Sequence, residues 1–302
     1  MAGNSADRPA LETFLARHPG RKVQVSGGHS LHVIDEGAGR PVVMLHGNPS
    51  WAFYYRNLLE DLSRDCRVIV PDHIGMGRSD KPDDSTYDYT LARRVADLEE
   101  TLETLGVTDD ITLVVHDWGG MIGTAFATAH PERIARMVIL NTAGFGLPAE
   151  KTFPWPLKLS RKLPVSALFV RGFNGFVKGT AMIGTKRRPM STDVRRAYLW
   201  PYDSWANRRA VHRFVQDIPL SPNDKSWPIL KQVEADLPKL AGKPMFVAFG
   251  LKDLVFDKHF LKAWTDRFPD AEVVRYEDAG HYVLEDVGDE LIGRIRGFLE
   301  RT

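Results

Sequence analysis

Val114-Val115-His116-Asp117-Trp118-Gly119-Gly120 sets one acidic residue between an apolar, β-branched run and a pair of glycines. The run from Ile111 to Val115 reads as a buried strand. Met121 to Ala129, small and apolar, reads as a helix. A strand, a tight turn with a polar residue at its apex and then a helix is the context of a nucleophile elbow. Small flanking residues let the backbone bend sharply and lift the apex side chain at the strand's C-terminal end. A serine there attacks acyl carbons, whereas the carboxylate of Asp117 would form an ester or an anhydride with its substrate. Aspartate before a helix is also a frequent N-cap, so the elbow reading depends on partners elsewhere in the chain.

Outward from this motif, strand-like runs alternate with helical spacing. Arg21–Ser26 and Leu31–Asp35 read as an opening hairpin, and Pro41–His46 and Arg67–Pro71 as apolar strands. Ile134–Asn141, Met245–Gly250 and Glu272–Glu277 complete a set of eight with Ile111–His116. Amphipathic segments lie at Trp51–Asp61, Leu91–Leu105, Lys258–Arg267 and Asp286–Leu299. This alternation predicts an α/β class protein with a mostly parallel eight-stranded sheet and helices on both faces. From Gly144 to Leu240 the alternation stops, and the stretch holds four tryptophans and, among its prolines, Pro154, Pro156, Pro164, Pro189 and Pro201. It is too long for a structureless loop. The expected organisation is therefore a core domain of residues 1–143 and 241–302, with 144–240 inserted as a helical cap over the C-terminal edge of the sheet, where ligands of open α/β sheets bind.

Composition narrows the field. With 302 residues, 43% hydrophobic and 26% charged, the chain can bury one large core. One cysteine, Cys66, excludes an internal disulfide framework and reads as a structural thiol. No N-terminal apolar signal and no run near the roughly 18 apolar residues of a membrane span is present, which leads to the expectation of a cytoplasmic protein. A net charge of +1 argues against nucleic acid as partner. The charge is nevertheless uneven: Lys151 to Leu240 holds 17 Lys and Arg against 6 Asp and Glu, and the remainder 23 against 33. That asymmetry implies an oriented field.

Three further segments can complete the chemistry. His46-Gly47-Asn48-Pro49 leaves a strand and can aim a backbone N–H into the pocket, forming an oxyanion hole with the Trp118 N–H. Gly250-Leu251-Lys252-Asp253 and Asp278-Ala279-Gly280-His281 each leave a late strand. Nucleophile, acid, histidine is the chain order of α/β hydrolases. Asp253 would orient His281, and His281 would act as base. Asp257 is a rival for the acid, disfavoured by its place four residues on. His46 and Asp72 read as loop braces.

HGNPSW (46–51), PDHIGMGRSDKPDD (71–84), HDWGGMIG (116–123), GLKD (250–253) and DAGHYVLED (278–286) resemble the haloalkane dehalogenase family of the α/β-hydrolase fold. The resemblance implies an aspartate that displaces halide from an sp3 carbon and a histidine that activates water on the alkyl ester. It also implies halide donors at the Trp118 indole and the Asn48 side-chain amide, and no cofactor or metal. Some members carry the acid after the earlier strand, where this chain has Asn141, which leaves Asp253. DHIGMGRSDKPDDSTYDYTL (72–91), PYDSWANRRAVHRFVQDIPLSP (201–222) and FGLKDLVFDKHF (249–260) look more specifically like the β-lactone decarboxylases of bacterial long-chain olefin biosynthesis. Those enzymes turn cis-3-alkyl-4-alkyl-oxetan-2-ones into cis-alkenes and carbon dioxide. Asp117 would then attack the strained lactone, with the carbonyl the expected point of attack, and His281 would manage a proton rather than activate water.

Haloalkane hydrolysis is the alternative. Epoxide hydrolysis would need paired cap tyrosines, for which Tyr198 and Tyr202 are the candidates, and a non-catalytic receptor is a further reading. An apolar small molecule is the expected substrate. The resemblance also implies work beside a thiolase, a β-lactone synthetase and a reductase. The basic cap, with Lys186, Arg187 and Arg188, is the expected contact to an acidic partner or an anionic membrane surface.

Overall fold

The computed structural model describes residues 9–162 and 165–302. Eight strands form one sheet: β1 (Arg21–Val25), β2 (His29–Glu36), β3 (Pro41–Leu45), β4 (Arg67–Pro71), β5 (Ile111–Asp117), β6 (Ile134–Thr142), β7 (Met245–Gly250) and β8 (Glu272–Tyr276). Their order is β1-β2-β4-β3-β5-β6-β7-β8. β1 and β2 pair antiparallel, as does β2 with β4, and every later pairing is parallel. The strands lie within a few residues of the runs read from the sequence.

The helices are α1 (Ala10–Arg17), α2 (Arg56–Leu62), α3 (Leu91–Thr104), α4 (Trp118–Ala129), α5 (Trp155–Lys162), α6 (Gly175–Ile183), α7 (Thr192–Leu199), α8 (Arg209–Gln216), α9 (Trp227–Asp236), α10 (Lys258–Arg267), α11 (Val283–Val287) and α12 (Asp289–Arg301). The segment expected as one helix over 286–299 is two, broken at Gly288, whose φ is 65°. That left-handed backbone is cheap only for glycine. α1 was not anticipated. It shows no side-chain cap, and its one buried residue, Phe14, packs edge-on against Trp51 and Phe53.

Alternation along each strand makes two cores. Val43, Leu45, Leu113, Val115 and Ile139 face one side of the sheet, where α3, α4 and α10 pack. Val42, Met44, Val114, Val138 and Leu140 face the other, against α1, α2 and α12. Because side chains alternate with a period of two, strands apolar at every position are the ones buried on both faces. This double burial fixes the C-terminal ends of β3, β5, β6 and β7 in one row. Between β6 and β7, the described part of 144–240 holds α5 to α9 and no strand.

Candidate active site

Asp117 ends β5 with φ 51° and ψ −123°, a sparsely populated backbone that non-glycine residues avoid unless the surroundings enforce it. The enforcement is visible on both flanks. A Cβ on Gly119 would strike the main-chain oxygen of Leu45 in β3, and one on Gly120 would strike the Thr142 side chain in β6. α4 therefore begins wedged between two neighbouring strand ends, and only glycine fits there. The Thr142 hydroxyl also donates to the Asp117 carbonyl. Although it occupies the N-cap position of α4, Asp117 makes no capping bond with its side chain. Its carboxylate instead accepts the Asn48 N–H at 2.6 Å and lies 3.9 Å from His281 Nε2.

Asp253 follows β7, and His281 follows β8. His281 Nδ1–H donates to Asp253 Oδ2 at 2.8 Å. Asp253 also accepts the Val255 N–H at 2.8 Å and an Asn141 amide hydrogen at 3.1 Å. The rival Asp257 is occupied elsewhere: it binds Lys151 at 2.6 Å and caps α10 through the His259 N–H. Sequence reading discarded Asn141 as an acid but missed its place as a brace. Its Oδ1 accepts the Gly250 N–H and its amide also reaches the Gly250 and Phe256 carbonyls, so it fixes the loop that carries Asp253. The signal was available, since a polar residue at the end of a buried strand needs partners.

His116, one residue before the elbow, was also missed. Burial holds it well below the usual histidine range, with the neighbouring His281 charge pushing the same way, so it is neutral. Its Nε2–H donates to the His281 carbonyl at 2.9 Å, and the two rings lie 4.6 Å apart. Asp286 completes the support: it accepts N–H groups from Gly280, Lys186 and Arg187, tying the histidine loop to the helical segment. His46 and Asp72 brace loops as expected, through His73 and through the Ala52 and Arg78 N–H groups.

Burial raises the Asp117 pKa, while His281 and the N–H groups of Asn48 and Trp118 pull it back without cancelling the rise. Burial lowers that of His281, but the charge and hydrogen bond of Asp253 and the charge of Asp117 outweigh it, so His281 ends above its ordinary value. Asp117, His281 and Asp253 thus form one row, in which the carboxylate on either side favours the charged form of the histidine between them.

The row opens on a cavity of about 560 Å³. Apolar side chains from 144–240, among them Phe169, Phe176, Val215 and Leu230, line it together with Asp117. Trp118 lines it too, and its indole N–H has no partner among the described residues. The Asn48 amide faces the cavity but already donates to the Val211 carbonyl in α8 at 3.1 Å, and its oxygen is buried without a partner. One of its two amide hydrogens remains for a ligand. The epoxide reading is corrected here. Tyr198 donates to Glu285 and Tyr202 to the Ser50 carbonyl, and neither lines the cavity.

A family profile of the alpha/beta hydrolase fold matches residues 40–286. The chain belongs to that family. It is 53% identical to the cis-3-alkyl-4-alkyloxetan-2-one decarboxylase of Shewanella oneidensis, over 97% of this chain and 90% of that one. Identity to the enzyme of the same name from Xanthomonas campestris pv. campestris is 50%, over 93% and 96%. A haloalkane dehalogenase of Mycolicibacterium paratuberculosis is 32% identical over 88% and 86%. The crystal structure of a haloalkane dehalogenase from Bradyrhizobium elkani superposes with a TM-score of 0.82 over 93% of this chain and 99% of that one, at 21% identity. The chain is haloalkane dehalogenase-like in fold and nearer in sequence to the two decarboxylases.

Proposed function

We propose that the protein decarboxylates cis-3,4-dialkyl-oxetan-2-ones to cis-alkenes, with Asp117 as nucleophile, His281 and Asp253 as its charged partners, and Asn48 and Trp118 as the donors for the leaving group. Residues 1–143 and 241–302 would be the core domain and 144–240 the cap that walls the substrate. The observation that carries the reading is the identity of 50–53% to two decarboxylases across nearly the whole chain, joined to a carboxylate at the elbow of an apolar cavity.

Atom balance favours a different point of attack from the carbonyl. At the carbonyl, Asp117 would give an anhydride and leave oxygen on C4 that must depart as hydroxide. At C4, an sp3 carbon, the Asp117 oxygen forms a C–O bond as the ring C4–O bond breaks and frees a carboxylate. The C3–carboxyl bond then breaks, its electron pair becomes the C3=C4 bond, carbon dioxide leaves, and Asp117 departs as carboxylate. Inversion at C4 followed by anti elimination keeps the alkyl groups cis. No water is consumed and no proton is lost or gained, which suits a His281 whose protonated form both neighbouring carboxylates favour. The freed carboxylate would take the place of halide beside the Trp118 indole and the spare Asn48 hydrogen.

Purified protein should convert a cis-β-lactone to alkene and leave a bromoalkane intact. Halide release without alkene would instead support a haloalkane hydrolase. A lactone with 18O in the ring distinguishes the two routes: attack at C4 sends the label into carbon dioxide trapped before it hydrates, and attack at the carbonyl sends it to water. Among the described residues no helix is long and apolar enough to cross a membrane. A cytoplasmic enzyme handing an insoluble lactone along a path with a thiolase, a β-lactone synthetase and a reductase fits this chemistry, as does peripheral contact of the cap with a membrane.

A further inference from the structure

Among the described residues, the large apolar side chains that are more than a third exposed concentrate in one stretch of the chain. Eleven of the twelve lie between Leu147 and Trp205, and the twelfth is Leu254. Five of them, Leu147, Trp155, Phe169, Ile183 and Leu254, also line the cavity above Asp117. A residue that is both exposed and cavity-lining stands at a mouth, so these five frame the entrance. Phe173 and Met182, each 66% exposed, flank it at the two ends of α6 without lining the cavity.

Around this rim basic residues dominate. Residues 147–186 contain seven Lys or Arg and a single acid, Glu150. Lys158, Lys178 and Lys186 are exposed and enter no ion pair among the described residues. The densest basic run is not the free cluster that the sequence suggests, because Arg187 is held by Asp278 at 2.8 Å and the chain there is pinned by Asp286. An apolar rim fringed by unpaired lysines matches a bilayer surface, whose acyl boundary takes the Trp, Phe and Met side chains while anionic headgroups take the lysines. A soluble monomer rarely leaves so concentrated an apolar patch uncovered.

We propose that this entrance rim docks on an anionic lipid surface, with Trp155, Phe173 and Met182 entering the acyl boundary, so that the cavity opens directly to the membrane. The proposal rests on the substrate being a long-chain lactone: such a molecule dissolves in lipid and would reach Asp117 without crossing water.

The test is sedimentation of the full chain with vesicles of phosphatidylcholine alone and with about one third phosphatidylglycerol. Binding to the second, weakened by salt, is expected, with Trp emission shifting to the blue. Phe173→Ser/Met182→Ser should lower the partition about tenfold or more. The same variant should keep wild-type turnover of a short, dispersed cis-β-lactone and lose turnover of a long-chain lactone presented in vesicles. Wild-type protein that ignores anionic vesicles would overturn the proposal, and so would a self-associating chain whose oligomer, rather than its vesicle binding, is abolished by the two serines. Vesicle binding with no lactone turnover would support the docking face and sink the substrate reading, so the two can fail separately.

Discussion

The sheet and the helical segment 144–240 use the same residue types in opposite ways. In β3, β5, β6 and β7 nearly every apolar side chain is buried, alternating between two cores. In 144–240 the helices are short, and apolar residues face the core, the cavity and the outside alike. The sheet spends its apolar residues on rigidity, which lets a strained φ of 51° persist at Asp117. The segment 144–240 leaves many of them facing the cavity or the outside. Substitutions in the two regions should therefore separate chemistry and stability from substrate handling.

The largest effect should come from the elbow itself. Asp117→Asn removes the nucleophile, and turnover should fall about 10⁴-fold, equivalent to about 5.5 kcal/mol of barrier. The assay must be prompt, because the amide can revert by deamidation. An active variant would refute the elbow assignment. Next comes the scaffold: Phe126, in α4 and fully buried, should cost about 3–5 kcal/mol of stability on truncation to Ala. Thermal unfolding would register the loss, while turnover measured well below the transition should stay near wild type.

The unequal legibility of the two regions has the same cause. The strands could be read because burial on both faces leaves an unbroken apolar run, and the elbow because β5, its glycines and α4 are contiguous in sequence. Asp253 and His281 were legible because each leaves a strand in the expected order. Asn141, His116 and Asp286 signalled at most that a buried polar group needs partners, not which ones: their bonds reach 109, 165 and 100 residues away, and no local pattern encodes such pairings. α1 escaped notice because only Phe14 is buried, which leaves almost no periodicity to read.

Asn141 tests whether the unread brace matters. Asn141→Leu leaves the Gly250 N–H unpaired and takes a donor from Asp253, at a cost of about 2 kcal/mol. Turnover should drop further than stability alone explains, because Asp253 would hold His281 less firmly; equal losses would make the residue merely structural. The pH profile sharpens the chemistry of the same row. Asp117 must be ionised to attack, and its pKa is raised by burial, so activity should fall about one decade per unit as pH drops through that raised value. His281 is raised by its carboxylate neighbours. If its protonated form works, activity should fall again as pH climbs past that value, and Asp253→Asn should move this limb downward. A hydrolase using neutral His281 as base would show the opposite, a rise through the same pKa.

The smallest expected effect is at Trp155, 72% exposed at the cavity mouth. Trp155→Ala empties no packed site, so stability should shift within about 0.5 kcal/mol. Its indole nevertheless stands where an alkyl chain would enter. KM for a long-chain lactone should rise several-fold while kcat for a short one holds, because only the longer chain reaches the rim. An unfolding temperature lowered as far as by Phe126→Ala would mean that the rim is core after all, and the contrast between the two regions would fail. A KM that rises equally for short and long chains would place the indole nearer the reacting carbon than the entrance. Only a chain-length-dependent penalty, on a fold of unchanged stability, is what an exposed apolar residue serving the substrate predicts.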